Sequence, residues 1–126
     1  MPSFAAASRY PSMASLVLAR ASVFVLPTLD EGSAKAVSEA MAAGLPVVTT
    51  PEAGSLVEDG KTGYLVPSRN VERLGERLAY LHAHPDVRRE LGVAARHVIL
   101  PYSWERYQRT LLDLYGGVLA RRREAA

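Results

Sequence analysis

Hydrophobic positions along the chain follow two rhythms. Ser22-Val23-Phe24-Val25-Leu26, closed by Pro27, is a continuous β-prone run without polar alternation. Such a run predicts a parallel strand buried on both faces inside a sheet. After a turn at Asp30 to Gly32 the spacing changes. Ala36, Val37, Ala40 and Met41 recur on one helical face, and Gly44 followed by Pro46 is a stop signal, so a helix is expected over about 33–43. Val47-Val48-Thr49-Thr50 opens a second β-branched run, which makes residues 22–50 a strand, helix, strand unit joined by a crossover. Gly54, a Glu58-Asp59-Gly60 turn and Gly63 punctuate a loop-rich stretch before a third short strand, Tyr64-Leu65-Val66, ending at Pro67.

Helical periodicity governs the rest. Asn70 is an N-cap, and Val71, Leu74, Leu78 and Leu81 form one apolar stripe. A second helix starts at Pro85 and buries Val87, Leu91, Ala94 and Val98. Ser103 caps a third, with Trp104 at its start as a packing anchor and a stripe of Tyr107, Leu111, Leu114 and Val118. A further helix is expected at about 11–20. The expected fold is α/β: a partial doubly wound (Rossmann-like) parallel sheet of about three strands, helices on both faces, and C-terminal helices. Three strands are few for such a sheet, so residues 1–126 read as one incomplete domain with a sheet edge left unpaired or covered by another polypeptide.

Composition narrows the class without choosing a function. The chain has 126 residues, 48% of them hydrophobic and 22% charged, which is ordinary for a globular domain with a modest core. Cysteine is absent, so disulfides and thiolate metal sites are excluded, and a cytoplasmic location is the expectation. The apolar stretch from Ala14 to Leu29 is broken by Arg20 and Pro27 and is too short to span a membrane, and Met1 to Met13 lack a secretory pattern. A net charge of +2 is only mildly basic. The Arg121 to Arg123 cluster reads as a solvated tail, giving at most peripheral membrane contact and no nucleic-acid partner.

Candidate chemistry lies beyond the carboxyl end of the first strand, where ligands bind in open α/β sheets. There the backbone N–H groups of Gly32, Ser33 and Ala34 are expected to open the helix and offer donors to an anion such as a diphosphate. Glu31 precedes that helix. Glu39 follows eight positions later, about 12 Å along a helix axis, so the two carboxylates could accept hydrogen bonds from separate hydroxyls of an elongated ligand. Spacing alone favours the plainer reading, with Glu39 a solvated helix residue paired with Lys35 and Glu31 a loop residue near a helix N-terminus. His82, His84 and His97 have no metal-site spacing, Ser33 and Ser55 lack the setting of a hydrolase nucleophile, and no phosphate-binding glycine loop is present.

Taken in order, several short motifs say more. Glu31-x7-Glu39, Glu-Ala-Met-Ala at 39–42, Gly-Leu-Pro-Val-Val at 44–48, Glu-Asp-Gly at 58–60, Thr-Gly-Tyr-Leu-Val-Pro at 62–67 and Ser-Trp at 103–104 resemble the donor-binding domain of group-one (family four) retaining glycosyltransferases of the GT-B fold, over roughly residues 17–118. The resemblance implies hexosyl transfer from a nucleoside diphosphate sugar to an acceptor hydroxyl, with retention and with no cofactor beyond that donor. It further implies Glu39 on the ribose hydroxyls, Glu31 as the catalytic-site carboxylate on the transferred sugar, and the Gly32 to Ala34 amides near the sugar and diphosphate.

Departures from the family pattern also carry expectations. Ser33 and Ala34 stand where many members have an aromatic residue and a glycine, and the Pro51 to Leu56 loop is short, so the sugar preference is not implied. The family's basic pair for the leaving diphosphate, and its acceptor domain, precede the matched region. The chain alone is therefore expected to be a poor catalyst that needs a second chain or a missing N-terminal domain. A rival expectation is a non-catalytic assembly module that pairs or self-associates through an exposed sheet edge.

Overall fold

The computed structural model describes residues 13–125. The reading of Met1 to Ser12 as non-secretory, and the first two positions of the helix expected at 11–20, lie outside the described residues. Chain order is α1 (Met13–Arg20), β1 (Phe24–Leu26), α2 (Lys35–Ala42), β2 (Val47–Thr49), a short 3-10 turn η1 (Pro51–Ala53), β3 (Gly63–Leu65), α3 (Val71–Ala83), α4 (Pro85–Ile99) and α5 (Trp104–Glu124). The three strands form one parallel sheet in the order β1-β2-β3, with Phe24 opposite Val47 and Val47 opposite Gly63.

Alternation along β2 divides the core. Val47 packs on one side with Val37, Ala40 and Met41 of α2, whereas Val48 packs on the other with Leu81 of α3, Tyr64 and Val66. Helix α4 serves both sides, sending Ala95 and Ile99 to the α2 layer and Leu91 to the α3 layer. Helices thus cover both faces of the sheet. Each fully buried side chain such as Met41 contributes about 1.5–3 kcal/mol of transfer free energy.

Local chemistry sets the turns. Helix α2 ends in a Schellman motif, in which Leu45 N–H donates to Ala40 O at 3.1 Å and Gly44 N–H to Met41 O at 3.0 Å, with Gly44 at φ +78. Arg96 of α4 adds a hydrogen bond to the Ala42 carbonyl. The Asn70 side chain accepts from Arg73 N–H at 2.9 Å and caps α3 as expected. In the Glu58 to Gly60 turn, Gly60 adopts φ +75 and Asp59 accepts from Leu65 N–H at 2.9 Å.

Several expectations need correction. β1 is not an interior strand: it pairs only with β2 among the described residues, and Val25 is 36% exposed. Because Phe24 N–H bonds to Pro46 O at 3.0 Å, alternation turns the N–H and C=O of Val25 toward the open edge. Val71 is 79% exposed at the first position of α3, outside the buried stripe. The α4 core line runs through Leu91, Gly92, Ala95 and Ile99, one step round the helix from the Ala94 and Val98 stripe. Helix α5 buries nothing: Tyr107, Leu114 and Val118 face solvent, Leu111 is half-buried, and Trp104 is 54% exposed against the edge of Tyr107.

Candidate functional site

The carboxyl ends of the three parallel strands converge on one region, and backbone bonds stitch their loops together. Glu31 N–H, in the loop after β1, donates to Glu52 O at 2.9 Å, and Ala34 N–H donates to Ala53 O at 3.1 Å. The Glu52 carboxylate in turn accepts from Ser68 Oγ, in the loop after β3, at 2.5 Å. That hydrogen bond is the main cause holding the Glu52 carboxyl below its ordinary value of 4.5. Charge-assisted acceptance of this kind ties the third loop to the second.

Beside this seam lies a hollow of about 390 Å³ whose lining includes Ser33, Glu39, Gly54, Ser55, Leu56 and Tyr102. Lys35 and Ser38 are shared with a second, shallower cleft of about 630 Å³ that runs on past Tyr102, Trp104, Arg106 and Tyr107. Glu39 is placed on the wall of the hollow by α2, with its side chain 24% exposed. Lys35 stands 3.8 Å from it, a long and largely exposed i,i+4 contact worth only tenths of a kcal/mol. The bland pairing of Glu39 with Lys35 is therefore present, yet it leaves the carboxylate at the cavity wall.

The remaining sequence candidates separate. Ser33 lines both depressions, so it joins Glu39. Glu31 is exposed in the seam loop and is not among the residues lining the 390 Å³ hollow. A Cβ on Gly32 would meet no atom within 4 Å, so its backbone stands open to approach. Ala34 is a correction. The helix starts at Lys35, and Ala34 is only 6% exposed, packs in the core and gives its N–H to Ala53 O, so that amide is no free anion donor.

Sequence reasoning missed η1 and the residues it brings to the hollow. Thr50 followed by Pro51 was the available signal, since proline favours the first position of a helical turn. It also missed Tyr102, which follows α4 and reaches the cavity only because α4 packs on α2. Among the described residues no three histidine, aspartate or glutamate side chains converge as a metal site requires. No helix among them is long and apolar enough to cross a membrane.

The family model for group 1 glycosyl transferases matches residues 8–84. The D-inositol 3-phosphate glycosyltransferase of Streptomyces bingchenggensis is 35% identical over 98 residues, covering 75% of this chain and 21% of that protein. The alpha-maltose-1-phosphate synthase of Mycolicibacterium smegmatis is 37% identical over 113 residues, covering 82% of this chain and 29% of that protein. In three dimensions, sucrose-phosphate synthase from Thermosynechococcus elongatus superposes with a TM-score of 0.77 at 29% identity, over 84% of this chain and 27% of that one. The chain thus spans between a fifth and a third of these relatives' length. With motifs, parallel sheet and family match in agreement, the chain belongs to the group 1 glycosyltransferases and corresponds to the C-terminal portion of their GT-B enzymes.

Proposed function

We propose that the hollow beside α2 binds a nucleoside diphosphate sugar, and that the chain is the donor-binding part of an enzyme transferring a hexosyl unit to an acceptor hydroxyl with retention. The observation that carries this reading is the position of Glu39 on a cavity wall at the carboxyl ends of parallel strands, in a chain that the group 1 family model matches. In this reading Glu39 accepts hydrogen bonds from the ribose hydroxyls. Glu31, on the neighbouring loop, meets the transferred sugar, and the open backbone at Gly32 and Ser33 lies near the diphosphate. Relatives are named for acting on D-inositol 3-phosphate and for making alpha-maltose-1-phosphate, both sugar or polyol phosphates, which supports hexosyl transfer as the chemistry.

The test is calorimetric titration with UDP-glucose, GDP-mannose and ADP-glucose. A charged hydrogen-bonded carboxylate is worth about 1.5–3 kcal/mol, so Glu39→Ala should weaken the donor that binds by roughly ten- to a hundredfold. Lys35→Ala should leave stability within about 0.5 kcal/mol, because its pair is exposed and long. Absence of binding to every donor would remove the proposal.

A second reading rests on a different observation: among the described residues β1 pairs only with β2 and α5 buries no residue, which leaves surface for another polypeptide. As a binding or assembly module it would bind no donor and would sediment as an oligomer. The same titrations, run beside analytical ultracentrifugation, separate the two readings.

A further inference from the structure

The seam between β2 and the loop after β1 contains more chemistry than sheet formation requires. Thr49 is fully buried and Thr50 is 2% exposed, in a run that begins Val47-Val48. A buried parallel strand is best filled by β-branched apolar residues, and each buried hydroxyl imposes a hydrogen-bonding demand that valine would not. Both hydroxyls are nonetheless used. Thr49 Oγ1 donates to Leu26 O at 2.8 Å and Thr50 Oγ1 donates to Thr28 O at 2.6 Å.

The first bond falls at Leu26, the last residue of β1 and the register partner of Thr49, and the second falls beyond the strand, at Thr28. The backbone continues the series: Glu52 O takes Glu31 N–H, and Ala53 O takes Ala34 N–H. Residues 26, 28, 31 and 34 are thus held in order by 49, 50, 52 and 53. Gly54 closes the series at φ +58, where a Cβ would lie 2.6 Å from Gly32 O, so the two loops meet through bare backbone.

We infer that the carboxyl end of β2 and η1 form a clamp on the 27–34 loop, with Thr50 as a positioning residue for Glu31, Gly32 and Ser33. The inference takes its ligand from the donor reading above. Thr50 does not line the hollow. Its effect passes through Thr28, which fixes the loop against Glu39, a residue held separately on α2.

The experiment compares Thr50→Val, Thr50→Ser and a control, Thr62→Val. Thr62 is equally buried and its hydroxyl accepts from Glu58 N–H at 2.9 Å, but it precedes β3 at the opposite, amino end of the sheet. Hydrogen exchange at the Glu31 and Ala34 amides, read by NMR, should accelerate about tenfold or more in Thr50→Val, by analogy with one lost buried hydrogen bond. It should stay near wild type in Thr50→Ser and Thr62→Val. Calorimetry with the same three nucleotide sugars should show donor affinity about tenfold weaker in Thr50→Val only. Thr50→Ala stands in if the valine variant is insoluble.

Exchange at Glu31 and Ala34 no faster in Thr50→Val than in Thr62→Val would overturn the clamp and leave Thr50 a core residue. Wild-type protein that binds none of the sugars would sink the donor reading, while exchange would still decide the clamp. Binding unchanged in Thr50→Val despite faster exchange would show that the loop does not position the site, which also overturns the inference.

Discussion

Gly92 of α4 touches Gly44 at the end of α2 through bare backbone, and a Cβ placed on residue 92 would overlap the Gly44 carbonyl oxygen. Helix α4 can therefore lie against α2 closely enough for Arg96 to reach the Ala42 carbonyl. Backbone cannot yield as a flexible side chain does, so Gly92→Ala should cost at least the usual penalty of overpacking, about 1–3 kcal/mol. Thermal unfolding should report this as a loss of several degrees. Gly75→Ala, on an open stretch of α3 where a Cβ meets nothing within 4 Å, should instead be neutral or stabilising by up to about 1 kcal/mol.

Removing the Asn70 cap tests whether α3 is held by its start. The Asn70 side chain satisfies Arg73 N–H, so Asn70→Ala should cost about 0.5–2 kcal/mol in denaturant unfolding. Asn70→Ser should recover most of it, since serine caps almost as well. Equal loss in both variants would mean that the side chain acts through something other than capping.

Acidity should loosen the tie between the second and third loops. Folding lowers the Glu52 pKa through Ser68, so the folded state favours the charged form. The contribution is complete above the ordinary value of 4.5 and is lost as pH falls through the lower folded value. Wild type and Ser68→Ala should therefore differ in Tm near neutral pH and converge in acid. A gap that stays constant with pH would show that the hydrogen bond to the carboxylate does not produce it.

Helix α5 should exchange its amides early. It is 21 residues long and buries none of them, so its protection should reflect helix opening rather than global unfolding. Amides of α3 and α4, which place Leu81, Leu91 and Ala95 in the core, should exchange far more slowly. Equal protection in α5 would mean that its apolar face is covered in solution.

What could be read from the sequence was mostly local. The Gly44-x-Pro46 stop, the Asn70 cap and the Val47-Val48 strand depend on neighbours in the chain, and each appears where the residue types place it. β1 could not be read fully, because a strand buried between neighbours has the same composition whether or not those neighbours are present. The α5 stripe failed for a related reason: periodicity shows which face is apolar, not what lies against it. Glu39 was legible as a candidate because helix register carries it to the wall. That Ala34 gives its N–H to Ala53 depends on a contact made by a turn that sequence spacing did not reveal.

The cross-bonding of Glu31, Glu52 and Ser68 has a practical consequence for redesign. Anyone exchanging the 27–34 segment for that of a relative would be replacing one side of a seam whose other side is residues 49–54. Such a graft should succeed only when both segments are transplanted as a pair, with glycine kept at 54.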